Sequence, residues 1–170
     1  QDAQAGEARA FATLVSRHYD RIYRLSYRML GNEAEAEDLA QDICAGLAAK
    51  LKGFRNEARF TTWLHRLVVN AAKDRFRRQA TYTKATTGWG DWEIARRAEL
   101  CEATEAQSWL MEALQRLNPD LRATVALVLG EDMSHREAAE TLGLSEGTVS
   151  WRMSEVRRAL AAQIEEERRA

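Results

Sequence analysis

Apolar residues recur every three or four positions along most of the chain. Phe11, Leu14, Val15, Tyr19, Ile22, Tyr23, Met29 and Leu30 follow a helical repeat. Gly31 fits a helix stop, and Asn32 with Glu35 fits the next N-cap and its capping partner. Leu39, Ile43, Leu47 and Leu51 mark one face of a second helix that Gly53 ends. Phe60, Trp63, Leu64, Leu67, Val68 and Ala71 mark a third, running to about Arg78. Three helices with short connections can enclose a small core.

Residues 80–106 break the pattern. The run TYTKATTGWGDW has turn-formers and no sustained repeat, so it reads as a linker. The following EIARRAELCEATEA buries little, and its state stays open. Order resumes with Trp109, Leu110, Leu114 and Leu117. Asn118-Pro119 starts a helix carrying Leu121, Val125, Leu127 and Val128, which stops near Gly130. Ser134 and Glu137 form a capping box for a short helix over Arg136–Leu142. Gly143 turns the chain, Ser145 caps, and a last helix runs from about Glu146 to Ile164.

That final pair has helix-turn-helix form. Ala139 is small where two helices cross, Gly143 can take a left-handed turn, and Leu144 and Val149 plug the space between. Val149, Met153, Val156 and Leu160 share the inward face. Thr148, Ser150, Trp151, Arg152, Ser154, Glu155 and Arg157 are left outside. A helix mounted this way can enter the major groove of DNA. The structural alternative is a small helical bundle using the same turn.

Charge sharpens the picture. The formal net charge is -1, which argues against indiscriminate nucleic-acid binding. Locally, residues 33–53 carry five acids and two lysines, whereas residues 54–84 carry eight Lys/Arg and two acids. Such segregation points to separate surfaces for separate partners. Glu37, Asp38, Gln41 and Asp42 share one side of the second helix, opposite its apolar face, as either a solvated patch or a docking patch.

Other chemistry is sparse. Cys44 and Cys101 form no CxxC pair, so reduced thiols in a cytosolic protein are expected rather than a zinc site. His18, His65 and His135 are scattered, and no glycine-rich phosphate loop or nucleophile-base spacing stands out. The expectation is a non-enzyme with no catalytic residue, metal or cofactor. His65 is expected on the exposed side of the third helix. No apolar run approaches the length of a membrane span, and the N-terminus lacks a signal peptide's pattern, so direct membrane insertion is not expected.

The segments GNEAEAEDLAQD, FTTWLHRLVVNAAKDRFRR, EDMSHREAAETLG and GLSEGTVSWR, in that order, resemble bacterial sigma-70-type initiation factors of the extracytoplasmic-function (ECF) group. The resemblance covers residues 8–80 and 107–162. It implies an all-α fold of two small helical domains, a sigma-2-type bundle over 1–80 and a sigma-4-type helix-turn-helix domain over 107–170, joined by a flexible linker over 81–106.

It also implies partners. The first domain would dock Glu37, Asp38, Gln41 and Asp42 on the clamp helices of the largest subunit of core RNA polymerase. It would melt the promoter's minus-ten element. An extruded base needs a protein surface to replace its stacking. Asn56, Arg59, Thr61, Thr62 and Arg66 are the candidates for that surface. Asn70 can meet a base or a phosphate, and Lys73, Arg77 and Arg78, with Arg75, can hold the backbone. Trp63 is assigned to packing, and Asp74 to orienting a neighbouring arginine.

The second domain would read the minus-thirty-five element and touch the flap of the second-largest subunit. Here the chain departs from the family's pattern. Ser150 stands where Lys or Arg is common, Trp151 where a small hydroxyl residue is common, and Glu155 where a base is common; Arg152 and Arg157 match. Glu155 either accepts from a cytosine amino group or repels the backbone, and Trp151 either meets a thymine methyl or packs against a neighbour. Fewer cations imply weak DNA binding by the isolated second domain. The acidic linker 91–105 would mimic nucleic acid in a basic polymerase channel. Factors of this group are often held by an anti-sigma protein. Two other functions fit parts of the chain: a sigma-like decoy that sequesters an anti-sigma protein, and a stand-alone helix-turn-helix regulator.

Overall fold

A computed structural model of the protein describes residues 2–85 and 105–169. The helices are α1 (Ala8–Leu30), α2 (Glu33–Lys52), α3 (Phe60–Ala85), α4 (Glu105–Gln115), α5 (Pro119–Val128), α6 (His135–Leu142) and α7 (Glu146–Glu167). No strand occurs among the described residues.

The boundaries follow local chemistry. Gly31 adopts a left-handed φ of 70°, and a Cβ there would also collide with the side chain of Gln115. Asn32 accepts a 2.9 Å hydrogen bond from the Glu35 amide, opening α2. Asn118 accepts from the amides of Asp120 and Leu121, with Pro119 in the first turn of α5. Ser134 and Glu137 complete the capping box of α6. Gly143, at φ 68°, turns the chain into α7, whose cap Ser145 accepts from Thr148.

Two helices run further than their apolar repeats require. α3 continues past Arg78 to Ala85, because no glycine or proline interrupts the chain between 60 and 87. α7 continues past Ile164 to Glu167 through good helix formers. α4 starts at Glu105, inside the expected linker. The remainder of that linker, with Cys101 and nearly all of the acidic stretch 91–105, lies outside the described residues. Leu110 does not share the inward face of α4; it is exposed.

In the first half, α1, α2 and α3 bury Ile22, Leu25, Met29, Leu39, Ile43, Leu47, Leu64 and Val68 together. Each large aliphatic side chain buried there contributes about 1.5–3 kcal/mol. In the second half, Leu117 and Val125 pack on Met153 and Val156 of α7, with Leu160 partly buried beside them. The larger apolar cluster does not stop at the first half. Ala123, Ala126 and Leu127 of α5, Ala138 and Ala139 of α6, and Val149 of α7 belong to it. α1 packs on α4 and α5, and α3 on α5 and α6. Small alanines let the helices of the two halves approach closely, so the halves rest directly on each other.

Candidate functional site

The helix-turn-helix is α6, the Gly143 turn and α7. Val149, Met153 and Val156 are buried, and Leu144 is half-buried at the turn. On the other side Trp151 is 60% exposed, which makes it the largest apolar group of the recognition face. Ser154 and Arg157 are also exposed. Their neighbours are engaged locally: Thr148 Oγ1 lies 2.8 Å from Ser145 Oγ, and Ser150 Oγ lies 2.8 Å from His135 Nδ1. Ser154 Oγ donates to the Ser150 carbonyl, Arg157 Nε to the Met153 carbonyl, and Arg158 pairs with Glu155. Arg152 is drawn inward, 3.2 Å from Asp120 Oδ2.

The α3 surface is mixed. Asn56, Arg59, Asn70, Arg77 and Arg78 are exposed, and Thr61 and Thr62 are half-buried at the start of the helix. Asn56 has a φ of 57°, a left-handed conformation that asparagine tolerates. Trp63 is half-buried among aromatic rings, with centroids 5.0 Å from Phe54 and 5.6 Å from Phe60. Asp74 pairs with Arg77, the orienting role expected of it. Arg75 points back to α2, donating to the Glu35 carbonyl at 3.0 Å and to Asp42 at 2.7 Å. Its guanidinium therefore braces the first domain in this conformation.

His65 departs from expectation. It is 4% exposed rather than on the outer side of α3. The α5–α6 connection covers it, and its Nε2 makes an ion-pair contact 3.4 Å from Glu131.

The acidic face of α2 is intact. Glu37, Asp38, Gln41 and Asp42 are all exposed, with Gln41 donating to Glu37 at 3.2 Å. Cys44, on the same helix, is half-buried, and burial pushes its thiol up, away from reactive thiolate. Among the described residues no group of three or more His, Cys, Asp or Glu is placed to hold a metal ion.

Several residues that bind the two halves together carry no local sequence signal. Glu131 receives Arg28 at 2.7 Å, Arg21 at 3.5 Å and His65. Burial alone raises its carboxyl, but His65 and Arg28 outweigh burial and hold it below the usual carboxylate range. Arg66 donates to the Thr141 carbonyl at 3.1 Å and the Glu140 carbonyl at 2.6 Å, at the end of α6. In return Arg122 donates to the Met29 carbonyl near the end of α1 at 2.8 Å. Each half thus caps a helix of the other. Arg122 is buried, and burial pulls its pKa down to about 10.

Lys73 pairs with Asp120 in the first turn of α5. The Lys73 hydrogen bond, opposed by partial burial and reinforced by the charges of Lys73 and Arg152, holds the Asp120 carboxyl below its ordinary value. Asn70, Lys73 and Arg77 of α3 and Trp151, Arg152 and Glu155 of α7 line one cleft of about 1010 Å³.

An all-helical chain with an exposed acidic helix face, a basic helix and a capped helix-turn-helix has the build of a two-part DNA-binding factor. Comparison with known proteins narrows this. Residues 14–82 match the family model "Sigma-70 region 2" and residues 107–160 match "Sigma-70, region 4". The ECF RNA polymerase sigma factor SigM of Mycobacterium tuberculosis is 34% identical, covering 92% of this chain and 78% of that protein. The solved structure of CnrH in complex with the cytosolic domain of CnrY is similar at a TM-score of 0.67 and 29% identity, over 96% of this chain and 93% of that one. RpoE from Bartonella quintana, solved in complex with the anti-sigma factor NepR, shares the fold at a TM-score of 0.77 and 19% identity, over 93% and 98% of the two chains. The chain belongs to the sigma-70 family, in its ECF group, whose members direct RNA polymerase to promoters and are regulatory factors.

Proposed function

We propose that the chain carries out promoter-directed initiation through three surfaces. The acidic face of α2, with Glu37, Asp38, Gln41 and Asp42, docks on the clamp helices of core RNA polymerase. Carboxylates and an amide in solvent suit a basic partner, because charged rims steer association. The start and outer face of α3 engage the minus-ten element as it melts. Asn56, Arg59, Thr61, Thr62 and Arg66 face the displaced bases, and Asn70, Lys73, Arg77 and Arg78 the backbone. The outer face of α7 reads the minus-thirty-five element through Thr148, Ser150, Trp151, Arg152, Ser154, Glu155 and Arg157, while the same domain touches the polymerase flap.

The observation that carries this reading is the mounting of α7. Gly143 and the buried Val149, Met153 and Val156 fix one side of the helix, and Trp151 stands exposed on the other, as a helix that reads a groove requires. That domain follows one whose second helix presents an exposed acidic face, and a stand-alone regulator has no use for such a face. An anti-sigma protein is a further expected partner, supported by the similarity to CnrH, which was solved bound to the cytosolic domain of another protein. Among the described residues no helix is long and apolar enough to cross a membrane.

Transcription in vitro is the test. The purified chain added to core polymerase starts RNA synthesis at a cognate promoter. A stand-alone regulator would instead shift promoter DNA without core, and a decoy would bind an anti-sigma protein and never core. Either result overturns the reading.

A further inference from the structure

The chain ahead of α1 does not trail away from the first domain. Gly6 takes a left-handed φ of 95°, which residues with a side chain rarely adopt. The Gly6 amide donates to the Ala3 carbonyl at 3.3 Å and the Glu7 amide to the Asp2 carbonyl at 3.1 Å, so residues 2–6 fold back as a hook. Gln4 is half-buried on that hook. Its Nε2 donates to the Phe54 carbonyl at 2.7 Å, across 50 positions of sequence.

Phe54 lies at the start of the α2–α3 connection, the segment that carries Asn56 and Arg59. Its ring packs with centroids 5.0 Å from Trp63 and 6.0 Å from Phe60, and the His18 ring of α1 lies 5.1 Å from Phe60. Its amide donates to the Leu51 carbonyl at 3.1 Å, at the end of α2. Ring and amide are therefore held by the three helices, and the carbonyl by the hook. Past Phe54 the backbone turns through Asn56 at its left-handed φ of 57°. Asn56 and Arg59 are both exposed, so burial does not seat their side chains. Where they stand follows from how firmly the connection is tied at Phe54 and at Phe60, the first residue of α3.

We propose that Gln4 is a positioning residue for minus-ten recognition: by tying the Phe54 carbonyl, the hook sets the backbone from which Asn56 and Arg59 reach an extruded base. This role rests on the minus-ten reading of the segment, whereas the hook is a property of the chain alone. A loop ordered only at the moment of binding gives up part of its interaction energy, and a loop tied beforehand does not. Hydrogen bonds to a base edge weaken steeply with angle, so a slack connection loses discrimination between bases first. Affinity for polymerase is spared, because its proposed docking face lies on α2. Gln4 meets no base in this role; it acts through the Phe54 backbone.

The test uses the full chain with core polymerase on a promoter library randomised at both elements, with transcripts counted by sequencing. Gln4→Ala should lower discrimination between bases at the minus-ten element about threefold, the worth of one ordinary hydrogen bond, and leave the minus-thirty-five preferences unchanged. Gln4→Glu keeps the length of the side chain but loses the donor, so it should match Gln4→Ala. In the free chain, hydrogen exchange across residues 54–59 should be about threefold faster in Gln4→Ala, while circular dichroism keeps its helix content. Unchanged exchange, wild-type behaviour of Gln4→Glu, or an equal loss at both elements overturns the positioning role. Asn56→Asp separates this from the reading beneath it, because aspartate tolerates the same left-handed backbone while changing what faces the base. A minus-ten profile altered by Asn56→Asp and untouched by Gln4→Ala overturns the role of Gln4 alone. A profile untouched by Asn56→Asp overturns the minus-ten reading of the segment, even where exchange shows that the hook holds Phe54.

Discussion

The guanidinium of Arg122 sits over the ring of Phe76, 4.9 Å from its centroid, and joins the second half of the chain to α3. The same group donates to the carbonyls of Leu114 at 3.0 Å, Leu117 at 2.9 Å and Met29 at 2.8 Å. A charge this buried stays ionised because every donor has an acceptor or an aromatic face beside it.

Arg122→Ala should therefore destabilise the chain by about 3 kcal/mol, since it strands buried carbonyls as well as removing packing. Arg122→Met keeps the stem over Phe76 and should lose less. Urea titration followed by circular dichroism checks this, with a lower midpoint for Ala than for Met. Equal midpoints for Ala and Met would mean that the stem's packing on Phe76 contributes nothing, and a Met midpoint equal to wild type would mean that the hydrogen bonds contribute nothing.

On the acidic face, Asp38→Ala should weaken core binding more than Asp42→Ala. Arg75 already neutralises Asp42 at 2.7 Å, whereas Asp38 is exposed with no ion pair among the described residues. The double variant should lose about tenfold in affinity with its melting temperature within a degree or two of wild type. Fluorescence anisotropy with labelled factor and core polymerase measures it, and unchanged affinity in the double variant would refute the docking patch.

For the phosphate contacts, Arg77→Ala with Arg78→Ala should slow open-complex formation and flatten its dependence on salt. Each lost contact removes about 0.7–0.9 from the slope of log K against log salt, so the pair removes up to about 1.8. Arg77 contributes the smaller share because Asp74 competes for it. A defect independent of salt would assign these arginines another role.

Acid should loosen the contact between the halves. Asp120 and Glu131 both have folded pKa values below their ordinary ones, so each contributes stability that is fully present above the unfolded value of about 4 and is lost as pH falls through the folded one. The groups facing them are Lys73 and Arg152 for Asp120, and Arg21, Arg28 and His65 for Glu131. Melting curves between pH 6 and pH 3 should fall less steeply for Asp120→Asn with Glu131→Gln than for wild type. Parallel curves would exclude these two carboxylates as the source.

Local chemistry made the elements legible. Gly31, Asn32, Asn118, Ser134, Gly143 and Ser145 each satisfy or redirect backbone groups within four residues, so their roles can be read from neighbours alone. The exposed Trp151 and the buried Val149 followed from helical period in the same way. The contact between halves was not legible. Arg28 and Glu131 are 103 positions apart, and nothing near either one distinguishes it from a solvated charge. His65 was misplaced for the same reason. Within α3 its position reads as outward, and only the covering connection after α5 turns that side into an interior.

Arg66 grips two main-chain carbonyls rather than side chains. Any sequence that keeps α6 helical supplies the same two oxygens. Descendants of this chain are thus free to rewrite the side chains of that short helix while inheriting the clasp unaltered, so long as position 66 stays arginine.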